Sequence, residues 1–490
     1  MEYFFSGFEI VLHWSYIGYM FAGVFWGMLV GFLPGLQGGT AIALMIPLSY
    51  DMETLPALVF LLSVYTGSIF GGAVTAILFN TPGSAANIAT AYDGYPMARN
   101  GEPDRALGIA LMSSFLGGII GCVALLTLAQ PMAMFALRFG PGEMFAVVIF
   151  GLSVVGSLSS DMLKSLFAGF LGLLLGTVGT NLTGVTRGTF GSAYLFDGIP
   201  LVPAFLGFLA LPEICRQIAK PLQITGDIGG KRNMQALLKG MGETARHAGR
   251  ALVCSVGGVI VGIIPAAGAA IASMLCYNQS KQLSRRPQRY GTGIPEGIVA
   301  SETANNASEG GALTTMFVLG IPGSGATALL LGALVLQGWI PGPKLFFEHG
   351  EIIYASISSL FVQQFAMLFL GVILCLVGSK IARLPFSYLM PCIVLFTIIG
   401  AYSERNALFD AGLMVFFCGL GLLMEYCSYP IAPLILGLML GGMADTHFVR
   451  IHQSYANIWS IFKSPITCAL FAATLFSLAF PYINARRRGW

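Results

Sequence analysis

Apolar runs of membrane-crossing length follow one another along nearly the whole chain. They lie near residues 15–33, 54–79, 106–130, 142–158, 163–180, 199–212, 251–277, 311–336, 352–378, 385–402, 407–427, 429–443 and 465–483. Hydrocarbon offers backbone N–H and C=O groups no partner except one another, so such runs are expected as helices. The spacing predicts about ten to thirteen membrane segments, several of them re-entrant or broken. Composition agrees. Hydrophobic residues make up 56% of the chain and charged residues 10%, with a mean hydropathy of +0.79, a balance no soluble domain has. The expected fold class is an all-α polytopic membrane protein.

The distribution of charge orients the chain. The first Lys or Arg is Arg99, whereas Arg216, Lys220, Lys231, Arg232, Lys239, Arg246 and Arg250 crowd one central loop. Lys281, Arg285, Arg286 and Arg289 follow the next span, and Arg486, Arg487 and Arg488 close the chain. These clusters hold 14 of the 25 basic residues, which places all three in the cytoplasm and Glu2 and Glu9 outside. Their role is to orient the protein and touch lipid headgroups, and nothing in them argues for nucleic acid. The N-terminus lacks the basic region of a cleavable signal peptide, so its first apolar run is expected to stay. The cysteines show no paired CxxC spacing, and Cys122, Cys254, Cys375 and Cys418 read as packing or lipid-facing residues.

Two stretches far apart nearly repeat one another. Gly71-Gly72-Ala73-Val74-Thr75 leads to Pro82-Gly83-Ser84, and Gly310-Gly311-Ala312-Leu313-Thr314 leads to Pro322-Gly323-Ser324. Upstream, Gly31-Phe32-Leu33-Pro34 has a counterpart in Gly262-Ile263-Ile264-Pro265. A chain with 63 glycines repeats short glycine patterns by chance, so it is the order of three matches that signals duplication. The chain then divides into a first transmembrane repeat (1–212), a basic cytoplasmic linker (213–250), a second repeat (251–443) and a C-terminal segment with a basic tail (444–490). An outside N-terminus and an inside linker require an odd number of crossings, so the second repeat is expected inverted. The stretch 251–278 has basic clusters on both sides, yet about 28 residues cannot cross ~30 Å of hydrocarbon twice. A re-entrant hairpin breaking at Gly262–Gly268 fits, with its counterpart at Gly31–Thr40. Matched Gly/Pro-interrupted segments in two halves point to a transport site, and a rocking or elevator-like movement is the expected mechanics.

Such breaks supply chemistry. The N-terminus of a half-helix presents free N–H groups and partial positive charge, suited to a carboxylate. In Asn80-Thr81-Pro82-Gly83-Ser84, Pro82 cannot continue the preceding helix, Gly83 permits a tight turn, and Ser84 can cap the next helix, with Asn87 on its first turn. Gly320-Ile321-Pro322-Gly323-Ser324 with Thr327 does the same. With Gly35, Gly38 and Thr40 of the first glycine loop, these are the candidate substrate-binding residues. The bland reading is that the breaks are kinks serving helix packing. Asn305 and Asn306 are candidate ligands of a coupling ion: two adjacent amides are costly to bury unpaired, and their oxygens suit alkali cations. Glu302 is a candidate cation ligand or proton carrier, and an interfacial helix cap is the alternative for this segment. Asp93-Gly94-Tyr95-Pro96 reads as a turn, and Glu143, Asp161, Arg187 and Glu425 as charges flanking apolar spans. No GxxxxGK[ST] or HExxH occurs, no metal site is expected, and neither ATP hydrolysis nor intramembrane proteolysis has its residues here.

Together, Leu33-Pro34-Gly35, Asn80-Thr81-Pro82-Gly83, Asp93-Gly94-Tyr95-Pro96-Met97-Ala98, Ala304-Asn305-Asn306-Ala307, Gly310-Gly311-Ala312 and Gly320-Ile321-Pro322-Gly323-Ser324 resemble the large membrane subunit of tripartite tricarboxylate transporters, the TctA type. Departures at Gln37, Ala266 and Ser301 leave citrate unspecified. The resemblance implies a secondary transporter of an organic acid anion in a bacterial inner membrane, driven by Na⁺ or H⁺ and without other cofactor. It also implies a small four-helix membrane subunit and a periplasmic solute-binding protein as partners. A gated anion channel is the rival reading; it would not concentrate its substrate.

Overall fold

The computed structural model describes residues 2–33, 37–158, 161–219, 232–265, 267–339, 341–381, 386–455 and 457–487. In chain order come α1 (Glu2–Val11), α2 (Trp14–Phe32), α3 (Gly38–Ser49), α4 (Thr54–Phe79) and α5 (Ile88–Arg99). Next are α6 (Pro103–Ala136), α7 (Pro141–Leu158) and α8 (Met162–Gly176). A short antiparallel ribbon comes after them, β1 (Gly179–Thr180) paired with β2 (Thr186–Arg187). Beyond it lie α9 (Leu201–Phe205), a π turn (Leu206–Ala210), α10 (Leu211–Ala219) and α11 (Met234–Thr244). Then come α12 (Ala248–Ile263), α13 (Gly268–Gln282), α14 (Pro295–Leu319), α15 (Gly325–Leu336), α16 (Leu345–Glu348) and α17 (Gly350–Ile381). The last four are α18 (Phe386–Ser403), α19 (Leu408–Tyr426), α20 (Ile431–Ser454) and α21 (Pro465–Arg487). Among the described residues six helices, α2, α4, α6, α17, α19 and α20, are long and apolar enough to cross a membrane. The chain is an all-α polytopic membrane protein.

Two stretches differ from the sequence reading. The apolar run 311–336 is not one span but the end of α14 and the whole of α15, and α14 starts back at Pro295. Hydropathy hides this start because Ser301, Glu302, Asn305, Asn306, Ser308 and Glu309 are polar, yet all are buried inside α14. This segment is therefore no interfacial cap, and Glu302 is buried well inside the helix. The second difference is Asp93–Pro96, which lies within α5 and forms no turn. Asp93 does not fold back on its own backbone. Its carboxylate accepts from the amides of Gly291 (2.9 Å), Gly293 (2.9 Å) and Ile294 (3.1 Å) and from the Tyr277 hydroxyl (2.9 Å).

Small residues set the central packing. A Cβ on Gly27 of α2 would stand 2.1 Å from the Val64 carbonyl oxygen of α4, and one on Gly31 2.3 Å from that of Ser68. On α12, a Cβ on Gly258 would meet the Ala304 carbonyl oxygen of α14 at 2.4 Å, and one on Gly262 that of Ser308 at 2.2 Å. The partners Val64 and Ala304, like Ser68 and Ser308, lie 240 residues apart. Where no hydrophobic force drives helices together in lipid, such backbone approach is what glycine provides. The same local geometry therefore occurs twice, in α2 against α4 and in α12 against α14.

Flanking charges find fixed partners. Arg187 pairs with Asp445, Asp161 caps α8 through the Lys164 amide (3.1 Å), and Glu143 accepts from Gly140 N (2.9 Å). Cys122, Cys254, Cys375 and Cys418 are buried free thiols.

Candidate functional site

The site begins where α4 and α14 stop. Asn80 ends α4 in the left-handed region (φ 54°, ψ 28°), and Gly320 ends α14 in the same way (φ 67°, ψ 22°). The next amides then reach back alike, Thr81 N to Thr75 O (3.4 Å) and Ile321 N to Thr315 O (3.4 Å). Pro82 and Pro322 keep the chain extended until Ser84 (φ −140°, ψ 166°) and Ser324 (φ −155°, ψ 168°) start new helices. Gly83 and Gly323 are needed for close approach. A Cβ on Gly83 would sit 2.2 Å from Gly31 O and 2.5 Å from Gly72 Cα, and one on Gly323 2.6 Å from Ala312 Cα and 2.7 Å from Gly262 O.

The two serines differ. Ser324 caps α15 reciprocally with Thr327: Thr327 N donates to Ser324 Oγ (3.2 Å), and Ser324 N donates to Thr327 Oγ1 (2.9 Å). Ser84 makes no side-chain cap, contrary to expectation. Its hydroxyl donates to Asn87 Oδ1 (2.8 Å), because Asn87 stands where the second half has Thr327 and offers a better acceptor.

Four helix beginnings meet at one cavity of about 500 Å³. They are Gln37–Thr40 at the start of α3, Ser84–Ala86 leading into α5, Ala267–Ala270 at the start of α13, and Ser324–Ala326 at the start of α15. Ala41 N returns to Gln37 O, Asn87 N to Ser84 O and Ala328 N to Ser324 O. Apart from Thr327 N, which donates to Ser324 Oγ, the amides between each pair have no upstream carbonyl to reach and can serve a ligand. Phe208, Leu209, Ile431 and Ile435 supply apolar wall. Arg216 is the lining cation, and it is bridged to Glu425 (2.7 Å) and Glu213 (2.6 Å).

Of the residues singled out in sequence, Gly38, Thr40, Ser84, Pro322, Ser324 and Asn305 line the cavity. Asn80, Thr81, Pro82, Gly83 and Gly323 shape the turns behind it, and Asn87 and Thr327 support the two serines. Gly35 lies outside the described residues. Asn305 is fully buried, and neither atom of its amide has a partner among the described residues. Asn306 and Glu302 turn away from the cavity. Glu302 accepts from Thr90, Ser114 (2.8 Å), Asn87 (3.5 Å) and Asn306 (3.5 Å), and the Asn306 side-chain oxygen has no partner among the described residues. The hydrogen bonds Ser84–Asn87–Glu302 thus join the cavity wall to a buried carboxyl.

Sequence reasoning missed Tyr65 and Ser68, which line the cavity from α4; the Tyr65 hydroxyl is 3.4 Å from Ser324 Oγ. The signal was present, since Tyr65 lies 240 residues before Asn305, at the offset of the Pro-Gly-Ser match.

The family model for the tripartite tricarboxylate transporter TctA family matches residues 17–436. An uncharacterized 52.8 kDa protein in the TAR-I ttuC' 3'region of Agrobacterium vitis is 35% identical over 472 residues, covering 96% of this chain and 93% of that protein. An uncharacterized protein in the TAR-II ttuC' 3'region of the same organism is 33% identical over 193 residues, covering 39% of this chain and 80% of that protein. No solved structure matches the chain. With the family match spanning both broken-helix motifs, the chain belongs to the tripartite tricarboxylate transporter TctA family.

Proposed function

We propose that this chain is the membrane subunit of a secondary active transporter and binds an organic acid anion in the cavity where α3, α5, α13 and α15 begin. The observation that carries this reading is the convergence of four helix N-termini on one cavity whose lining cation is already paired. Each N-terminus carries partial positive charge and unsatisfied N–H groups, and together they replace the salt bridges a carboxylate would otherwise need. About 500 Å³ is in the range that small-molecule sites occupy. The Tyr65 and Ser324 hydroxyls add neutral donors, those of Ser68 and Ser84 do so once they turn from Tyr65 O and Asn87 Oδ1 to the ligand, and the free amide of Asn305 offers an oxygen to a co-bound cation. Asn306 and Glu302 sit one layer deeper and tie that region to Ser84.

The matched packing of α2 on α4 and α12 on α14 supports a duplicated unit. α3 runs from the cavity to the acidic stretch Asp51–Glu53, whereas α13 runs from it towards Lys281, Arg285, Arg286 and Arg289. Positive-inside bias puts these ends on opposite faces, which makes the two units inverted and the cavity central. Each half-helix rises ~20 Å, about half a bilayer. The motif-bearing hairpins then move against the remaining helices in an elevator-like or rocking step. In the bacterial inner membrane, a periplasmic solute-binding protein delivers the anion and a small four-helix subunit completes the complex. A Na⁺ or H⁺ gradient drives the cycle. Proteoliposomes with an imposed gradient and a panel of di- and tricarboxylates test this: saturable accumulation against a concentration gradient is expected. Flux that equilibrates without accumulating would instead make the protein a channel.

A further inference from the structure

α14 carries a second buried carboxyl that the anion site does not use. Glu309 is 3% exposed and lies one helical turn beyond Asn305, behind the cavity wall. Thr66 of α4, next to the cavity residue Tyr65, lies 2.7 Å from Glu309 Oε1 and 3.4 Å from Gln363 Oε1 of α17. The orientation of the Gln363 amide is fixed: its nitrogen donates to Val59 O (3.3 Å), which can only accept, and to Ser359 Oγ (2.9 Å). The oxygen of Gln363 therefore faces Thr66 and needs a donor.

One Thr66 hydroxyl cannot donate to both acceptors. If Glu309 is ionised, Thr66 donates to it and Gln363 Oε1 is left bare. If Glu309 is protonated, its O–H donates to Thr66, Thr66 donates to Gln363, and every group is satisfied. Glu302 shows the opposite arrangement, with donors on both oxygens from Thr90, Ser114, Asn87 and Asn306, which suits an ionised carboxylate. No cation offsets a charge on Glu309 among the described residues. Its titratable neighbours are Tyr65 from α4 and Cys122 from α6. The charges on the other packed helices are engaged elsewhere: Asp93 with Tyr277, Arg250 with Tyr290, Arg105 with Glu102 and Glu243, Asp104 with Arg232. Among the described residues no Lys, Arg or His pairs with Glu309. An unpaired charge at such depth is strongly disfavoured, and ionisable groups there mark proton or ion pathways.

We propose that Glu309, with Thr66 and Gln363, is a proton-binding site that is loaded at rest and releases and rebinds its proton during each transport cycle. This rests on the transporter reading of the cavity. The test compares wild type with Glu309→Gln, the neutral isostere of the loaded state, in two measurements. Infrared difference spectra of the purified full-length chain at neutral pH should contain one protonated-carboxyl C=O band that Glu309→Gln removes and Glu302→Gln leaves. In membrane vesicles that hold the small membrane subunit and are supplied with the solute-binding protein, Glu309→Gln should lower carboxylate accumulation driven by an imposed proton gradient at least ten-fold, while exchange of internal for external carboxylate continues. Glu309→Asp, which keeps a carboxyl, should restore part of the driven uptake, and it stands in if the glutamine variant does not fold. A wild type without the band, or undiminished proton-driven accumulation in Glu309→Gln, overturns the proposal. Absence of any uptake in wild type would overturn the transporter reading, and the proton site would then stand or fall on the infrared band.

Discussion

Ser84 and Ser324 occupy matching places yet hold different bonds, and that difference is testable. Ser324 belongs to a reciprocal cap, so Ser324→Ala should cost about 1 kcal/mol of stability as well as a ligand contact. Among the described residues the Ser84 hydroxyl bonds to Asn87 alone and caps no helix, so Ser84→Ala should leave thermal stability nearly unchanged. Each change should raise the half-saturating carboxylate concentration about five-fold, the equivalent of one neutral hydrogen bond. Uptake titrations beside thermal unfolding separate the two effects. Gly83→Val should be worse than either, because its Cβ would collide with backbone at Gly31 and Gly72 and cannot be relieved by a rotamer change. At this scale much was legible in sequence: the Pro-Gly-Ser matches identified both turns. The hidden part was partner choice. That Ser84 prefers Asn87 to its helix, or that Asn305 faces the cavity while Asn306 faces Glu302, depends on rotation about α14, which no local pattern encodes.

Helices are held in register by buried polar bonds that hydropathy reads as defects. Asp93 ties α5 to the loop before α14 and, through Tyr277, to α13. Asp93→Asn keeps the shape but turns an acceptor towards three amides into a mixed donor. Loosening of residues 287–294 is the expected outcome, measured as faster amide exchange there while α20 and α21 stay unchanged. In the basic segment between the two halves, Arg105 of α6 bonds Glu243 of α11 twice at 2.7 Å. These hydrogen bonds hold the Glu243 carboxyl below its usual range. Its folded value lies below its unfolded one, so the contribution is present above the usual carboxylate range and is lost as pH falls through the depressed value. Glu243→Gln should speed exchange of the α11 amides about five-fold at neutral pH, consistent with ~1 kcal/mol for a partly exposed pair, and should flatten that pH dependence. α4 was readable to the residue from its apolar run, and α19 to within one residue at each end. α14 was not, because its polar stretch is stabilised by neighbours and not by its own composition.

For the whole molecule, the duplicated and inverted reading makes a prediction about sidedness. Trp14 begins α2, and Ala245, at the Gly31-to-Gly262 offset, opens the short helical turn Ala245–His247 that leads into α12; both are exposed. Single cysteines placed there should react with an impermeant maleimide from opposite sides of the membrane, and reaction from the same side would contradict the inversion. The central claim is that a carboxylate sits among four helix N-termini. Ala86 and Ala326 stand in two of those first turns, one in each half, and both line the cavity. The direct measurement is the maleimide labelling rate of Ala86→Cys and Ala326→Cys, in a background with the native cysteines replaced, with and without a saturating transported carboxylate. Protection of both positions is the predicted result. Labelling at both that is indifferent to every carboxylate the protein transports would contradict it.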